Sequence, residues 1–104
     1  MTDKTSLAPH IVSRPGVRGG RPYIDGKGVT VAFVAFQHES MGVSAAEIAS
    51  AYDVTMSEVY AALAFYYDNA DEIDGREEED EIFAEELRRQ SPSLLAAKLR
   101  ALGA

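Results

Sequence analysis

Between residues 45 and 69, apolar side chains recur every three or four positions, the spacing that places them on one face of an α-helix. The pattern predicts two consecutive helices, over residues 45–52 and about 56–69, separated by a short turn. Each helix has one apolar face, so the two are expected to pack together. The predicted inward positions are Ile48, Ala49, Val54, Val59, Ala62, Leu63 and Tyr66.

Both predicted helices begin at a sequence that matches a capping box, Ser44 with Glu47 and Thr55 with Glu58. In a capping box the Ser or Thr oxygen accepts from the amide three residues on, and the Glu carboxylate accepts from the cap amide. Asp53, in the turn between the helices, tolerates the left-handed conformation better than most residues do. Two capped helices around such a turn predict a helix-turn-helix.

The segments before this pair predict a short β-hairpin or ribbon and one more helix. Residues 10–13 and 21–24 are extended on either side of a loop rich in Gly and Arg. From Val31 an apolar run continues to Gly42, which favours a helix of about ten residues with a glycine C-cap over a buried strand. Residues 1–9 are polar and lack periodicity, so a flexible terminus is expected.

The C-terminal part predicts a helical tail. The acidic run over residues 77–81 opens one helical segment, and Ser91 with Pro92 starts a second, basic one. Such a tail either orders in the groove of a partner protein or folds back on its own dimer. The predicted organisation is therefore a terminus at 1–9, a β-ribbon and helix-turn-helix domain at 10–75, and a partner-binding tail at 76–104. Its candidate contact residues are Ile82, Phe83, Leu87, Leu94, Leu95, Leu99 and Leu102.

Composition narrows the class of protein. A chain of 104 residues with 46% apolar residues makes one small, mainly α domain with a thin core, which dimerisation would extend. The chain has no cysteine, and neither His10 nor His38 lies in a metal-ligand or catalytic pattern. No enzyme, metal or cofactor is predicted. Without an apolar run of signal-peptide or membrane-span length, a cytoplasmic protein is expected.

Charge is divided unevenly along the chain. The formal net charge of -7 argues against a simple nucleic-acid binder, because Lys and Arg normally supply most of the affinity for phosphate. Residues 31–70 contain no Lys or Arg, whereas the ribbon is basic. The ribbon is therefore the stronger candidate for DNA contact, although its basic residues could instead serve only to keep the protein soluble. The helix predicted over residues 56–69 is the weaker candidate. The candidate DNA-contact residues are Arg14, Arg18, Arg21, Lys27, Thr55, Ser57 and Tyr60.

Five segments together resemble the DUF433 family, small prokaryotic proteins similar to VapB-type antitoxins: residues 11–12 (IV), 20–26 (GRPYIDG), 29–31 (VTV), 42–48 (GVSAAEI) and 59–67 (VYAALAFYY). The resemblance spans roughly residues 10–74. It implies a homeodomain-like helix-turn-helix after a short β element, dimerisation, and pairing with a PIN-like ribonuclease toxin. The family usually has Gly-Thr-Arg, an apolar residue and Pro where this chain has GKGVT at residues 26–30. If that arginine contacts phosphate in relatives, either Lys27 substitutes for it or DNA binding by this chain is weaker.

The sequence leaves two main functions open. The first is an antitoxin that neutralises a cognate toxin through residues 76–104 and represses its own operon by binding operator DNA. The second is a dimeric assembly module that does not bind DNA and uses its helix-turn-helix for protein contacts. A third, an acidic hydrolase, rests only on the abundance of carboxylates. The aromatic run at residues 65–67 is expected in the core or an interface, with base stacking as the alternative.

Overall fold

The computed structural model describes residues 4–90 of the chain, which form a mainly helical fold with a small antiparallel sheet. The strands are β1 (Thr5–Ala8), β2 (Ile11–Ser13) and β3 (Tyr23–Ile24), and the helices are α1 (Val31–Ala35), α2 (Ala45–Tyr52), α3 (Met56–Asp68) and α4 (Ala70–Gln90). A 3₁₀ turn spans Arg18–Gly20, and a π-helical turn, Phe36–Ser40, continues α1. The predicted contact residues Leu94, Leu95, Leu99 and Leu102 lie outside the described residues, as does the helix predicted to start at Ser91.

The sheet contains the predicted hairpin and one strand that the sequence analysis did not predict. β2 pairs with β3 in register, with Ile11 opposite Ile24, and β1 lies on the other side of β2. β1 occupies part of the expected flexible terminus. Most of its side chains are exposed, so it lacks the alternation that marks a strand, and it is held by backbone pairing to β2. The Lys4 ammonium also binds the Asp25 carboxylate at 2.9 Å.

The helix predicted from Val31 is confirmed over ten residues, but its second half is π-helical. The Thr30 hydroxyl caps its start by accepting from the Phe33 amide at 3.1 Å. At its end the Met41 amide donates to the Phe36 carbonyl at 3.1 Å, a bond that spans five residues instead of four. Gly42 follows with a φ of +71°, the left-handed conformation expected of a residue just past a helix.

α2 and α3 begin where the caps predict, but only one of the two capping boxes is complete. At α3 the Glu58 amide donates to the Thr55 hydroxyl at 3.1 Å, and the Thr55 amide donates to the Glu58 carboxylate at 2.8 Å. At α2 the Glu47 amide donates to Ser44, but the Glu47 carboxylate accepts from the Ser44 hydroxyl and not from its amide. Between the helices Asp53 is left-handed, with φ 55° and ψ 46°, as predicted.

The core lies where α1, α2 and α3 pack under the sheet. Five of the seven predicted inward residues are buried, and Ala49 and Tyr66 are half-buried against them. Residues of β2, β3 and α1 complete the core, because their apolar side chains meet α3. The central buried cluster consists of Ile11, Ile24, Val31, Val34, Ala45, Ile48, Val54, Val59, Ala62, Leu63 and Ile73.

The contacts divide the chain after Ile73 into two units. We call the described residues 4–73 the core unit and the described residues 74–90 the C-terminal unit. α4 starts at Ala70, earlier than the predicted start near residue 77, since the Ile73 amide already donates to the Asn69 carbonyl at 3.0 Å. In the C-terminal unit no described side chain is buried. Among residues 4–90, no helix is long and apolar enough to cross a membrane.

Candidate nucleic-acid interface

Residues 14–21, which we call the arginine loop, connect β2 to β3 through consecutive tight turns. The Val17 amide donates to the Arg14 carbonyl at 3.0 Å, and Gly16 at φ +81° provides the left-handed position of this first turn. The Gly20 amide then donates to Val17, and the Arg21 amide to Arg18. Arg18 itself has a φ of +51°, unusual for a residue with a side chain. The loop is therefore held by its own backbone, in contrast to a free arm.

The three arginines of this loop have different surroundings. Arg14 is half-buried, and its Nε atom is buried with no hydrogen-bond partner among the described residues. Arg18 is exposed, and its guanidinium lies across Gly28, where an added Cβ would come within 3.3 Å of it. Arg21 is half-buried and its guanidinium donates to the Arg18 carbonyl across a long 3.4 Å. Within residues 4–90 neither Arg14 nor Arg18 has an ion pair.

Lys27 connects the ribbon to the turn between α2 and α3. Its ammonium donates to the Asp53 carbonyl at 2.9 Å. Asp53 lies two residues before Thr55, so the structure brings two of the predicted DNA-contact positions, Lys27 and the start of α3, into one region. The sequence analysis could not find this contact, because the two residues are 26 positions apart and no local pattern relates them.

The predicted contact residues of α3 lie on its exposed face. Thr55, Ser57 and Tyr60 are all exposed, Tyr60 by 57%. The Thr55 hydroxyl already accepts from the Glu58 amide, so one of its lone pairs serves the cap. Glu58 is engaged in the same cap and is only half-exposed.

The same face of α3 borders an apolar groove of about 650 Å³. A bulge in β1 at Leu7 disturbs the register with β2, and Leu7 and Ala8 form one side of the groove. Sequence reasoning missed the groove because it did not predict β1. The lining residues from α3 are Ser57, Tyr60, Ala61, Ala64, Phe65 and Asp68.

Aromatic side chains are also exposed on α1, α2 and α3. Phe33 of α1 meets Tyr52 of α2 edge to face, with ring centroids 5.0 Å apart, and Phe36 is 53% exposed. The Tyr67 hydroxyl donates to the Glu39 carboxylate, which raises the pKa of Tyr67 above its ordinary value, with loss of hydration and the Glu39 charge adding to the effect. This hydrogen bond links Tyr67 of α3 to the π-helical turn that follows α1.

The C-terminal unit presents exposed apolar side chains on a charged helix. Ile82 is 60% exposed and Phe83 is 69% exposed. Single exposed apolar side chains are ordinary on a protein surface, whereas adjacent large ones form a patch of the kind that contacts a partner. Nothing is described of the Leu87 side chain. Within residues 4–90 no cluster of His, Asp and Glu is placed to hold a metal ion.

Residues 11–66 match a protein family described as "Protein of unknown function (DUF433)", and the match covers more than half of the chain. The structure is a small domain with an N-terminal sheet and a helical core, and the comparison assigns this domain to a protein family. The chain belongs to the DUF433 family. No curated protein and no solved structure matches it.

Proposed function

We propose that this chain is the antitoxin of a toxin–antitoxin pair, a dimer that binds operator DNA through a homeodomain-like helix-turn-helix and neutralises a PIN-like ribonuclease through residues 76–104. The antitoxin identity, the toxin and the dimer come from the family resemblance described above. The operator contact and the location of the partner surface are supported by observations on this chain.

The contact between Lys27 and Asp53 is the observation that best supports DNA binding. In a helix-turn-helix the second helix meets the major groove near its N-terminus, while neighbouring segments contact the phosphate backbone. Here the exposed start of α3 has beside it a ribbon lysine that donates to the Asp53 carbonyl at 2.9 Å. This places a positive charge next to a helix that has none of its own. Tyr60, Ser57 and Thr55 then offer hydroxyls to base edges or phosphates.

Two tyrosines of α3 provide a matched test of this surface. Tyr60 and Tyr67 are each 57% exposed, but Tyr60 lies near the start of α3 and Tyr67 about two turns further along. We expect Tyr60→Ala to weaken binding to the chain's own promoter DNA about tenfold, the loss of roughly one good contact. Tyr67→Ala should leave this affinity unchanged. Fluorescence anisotropy with labelled promoter DNA measures both, and equal losses would contradict the placement of the contact surface at the start of α3.

The exposed pair Ile82 and Phe83 supports a partner surface on the C-terminal unit. A helix that leaves both side chains in water gains by burying them against another protein. We expect Phe83→Ala to reduce recovery of the adjacent gene product when the two are co-expressed and purified together. Phe36→Ala, which removes a comparably exposed phenyl ring from the core unit, is the control. If Phe36→Ala alone lowers recovery, the partner binds the core unit instead.

The absence of Lys and Arg from residues 31–70 favours a second candidate, a dimeric assembly module that does not bind DNA. In that case the apolar groove beside α3 would bind another protein. Salt separates the two functions, because a complex that neutralises phosphates weakens steeply between about 50 and 200 mM salt. Promoter binding with such a slope supports the antitoxin. No promoter binding at the lower salt concentration would leave the assembly module.

A further inference from the structure

Three exposed aromatic side chains form one continuous patch on the helices of the core unit. Phe33 of α1 and Tyr52 of α2 meet edge to face, with ring centroids 5.0 Å apart. The Phe36 amide donates to the Ala32 and Phe33 carbonyls, so the helix that starts as α1 continues through Phe36. Phe33 and Phe36 are three positions apart and are therefore neighbours on the surface of this helix. We call Phe33, Phe36 and Tyr52 the aromatic patch.

The aromatic patch is large enough to form the centre of a protein–protein interface. Phe33 is 36% exposed, Tyr52 is 39% exposed and Phe36 is 53% exposed. With about 200 Å² for a whole aromatic side chain, the three leave roughly 250 Å² in water. Two copies of the patch would together remove roughly 500 Å² from water, about a third of the area that a standard interface buries. The remainder would come from the polar rim that surrounds such a centre.

The charges near the aromatic patch favour a second copy of the chain over a basic partner. Glu39 is the only Asp, Glu, Lys or Arg among residues 28–46, the stretch that contains Phe33 and Phe36. Its carboxylate already accepts from the Tyr67 hydroxyl. A basic partner is attracted by carboxylates, and this stretch offers it only one. Two copies of a chain with a net charge of -7 repel each other where their acids meet, so they approach most easily at a surface with few of them.

The chemistry of the aromatic patch also allows it to bind a copy of itself. In a two-fold interface both copies use the same surface, so that surface must be complementary to itself. Aromatic rings meet this condition, because each has a negative face and a positive edge and can meet another ring edge to face, as Phe33 and Tyr52 do within one chain. Aromatic residues are enriched, and charged residues are depleted, at the centres of interfaces.

We propose that two copies of this chain associate through the aromatic patch about a two-fold axis, with Phe36, the most exposed member of the patch, at the centre. The interface rests on the dimer of the proposed function, but not on its DNA or toxin contacts. None of the residues proposed to contact DNA or the toxin belongs to the patch. The partner of the patch is the chain itself, and contacts with DNA and toxin use other residues.

The oligomeric state of the full chain tests the interface, with the same acid placed in two different surfaces. Phe36→Glu should raise the dissociation constant of the dimer about a hundredfold or more, because each copy loses a ring and the two new carboxylates repel each other. The control is Tyr60→Glu, at a comparably exposed ring that lines the apolar groove, and it should leave the dissociation constant unchanged. Sedimentation equilibrium over about 1–100 µM protein measures both. Equal effects of the two variants, or a loss with Tyr60→Glu alone, would overturn the proposal.

A crosslinking measurement replaces this one if Phe36→Glu does not fold, as judged by circular dichroism. The chain has no cysteine, so Phe36→Cys introduces its only thiol. A residue at the centre of a two-fold interface lies close to the same residue of the other copy. A short bismaleimide should therefore link two copies of Phe36→Cys and should not link two copies of Tyr60→Cys. Equal yields, or the reverse pattern, would count against the interface.

The outcomes keep this interface and the proposed function apart. A chain that stays monomeric up to about 100 µM would contradict both the interface and the dimer of the proposed function. A dimer that Phe36→Glu leaves intact would contradict the interface alone. A dimer that depends on Phe36 supports the interface whether or not the chain binds promoter DNA or a toxin. Phe36→Ala, the control in the co-expression experiment, retains residues 76–104, so it should be recovered with the adjacent gene product even where it weakens the dimer.

Discussion

The core unit and the C-terminal unit hold their helices in different ways. In the core unit, α1, α2 and α3 bury one face each around residues such as Ile48 and Val59, which are fully inaccessible. In the C-terminal unit, the part of α4 from residue 74 to residue 90 buries none of its described side chains. It keeps its helix by local means, such as the Arg88 guanidinium bound to Glu85 at 2.6 Å. The comparison shows that packing sets the structure of one region and local sequence sets that of the other.

The largest expected difference is in unfolding free energy, when an isoleucine is replaced by alanine in each unit. Ile48→Ala opens a cavity in the core and should cost about 2–5 kcal/mol of unfolding free energy. Ile82→Ala removes an exposed side chain and should change it by no more than about 0.5 kcal/mol. Urea unfolding followed by tyrosine fluorescence measures both, since all five tyrosines lie in the core unit. Similar losses for the two variants would mean that Ile82 is packed in solution.

Replacement of glycine by alanine is expected to stabilise the protein at one position, Gly75, and to destabilise it at another, Gly42. Gly75 lies inside α4 with open space around the position of a Cβ, so Gly75→Ala should stabilise the helix by about 0.5–1 kcal/mol. Gly42 has a φ of +71°, where a Cβ is strained, so Gly42→Ala should destabilise the core unit by about 1 kcal/mol or more.

Far-UV circular dichroism during urea unfolding measures the gain at Gly75, and tyrosine fluorescence measures the loss at Gly42. A destabilising Gly75→Ala would show that α4 bends at this residue or packs closely there. It would also remove the sharpest difference between the two units.

The smallest expected effect is a loss of stability of the core unit at alkaline pH. The Tyr67 hydroxyl donates to Glu39 only while it is protonated, and this bond raises the pKa of Tyr67. Because the pKa is raised on folding, the stabilisation is complete below the ordinary value of 10.0 and is lost as the pH rises through the raised value.

Tyr67→Phe removes the bond at every pH. We therefore expect its melting temperature to lie below that of the unmodified chain at neutral pH and to approach it as the pH is raised to about 11. Differential scanning fluorimetry across this range, with Tyr60→Phe as control, makes the comparison. A gap that stays constant would mean that the Tyr67 bond does not form in solution.

Local signals in the sequence predicted the central helices well. The caps at Ser44 and Thr55 set the starts of α2 and α3, and Asp53 was the residue able to take the left-handed turn. These features depend on a few neighbouring residues, so they can be recognised without the fold. The buried positions followed in the same way from the helical period, with Ile48 and Val59 fully buried as predicted.

What the sequence did not predict depends on pairing and packing with other segments of the chain. β1 is a strand only because β2 lies beside it, and its exposed side chains leave no pattern. The contact of Lys27 with Asp53 follows from the packing of the ribbon against the turn between α2 and α3. For the candidate interface, the sequence therefore indicated the residues, and the fold was needed to show which of them meet.

The π-helical turn at residues 36–40 also bears on how the length of this chain can vary. A π-helical turn contains one residue more than the α-helical turn it replaces, and here the Met41 amide bonds five residues back to Phe36. Removal of one residue from this turn would let the helix continue as a regular α-helix, whereas the same deletion in α3 would rotate every following side chain by about 100°. Among related sequences, single-residue insertions and deletions should therefore be concentrated between the caps Thr30 and Ser44.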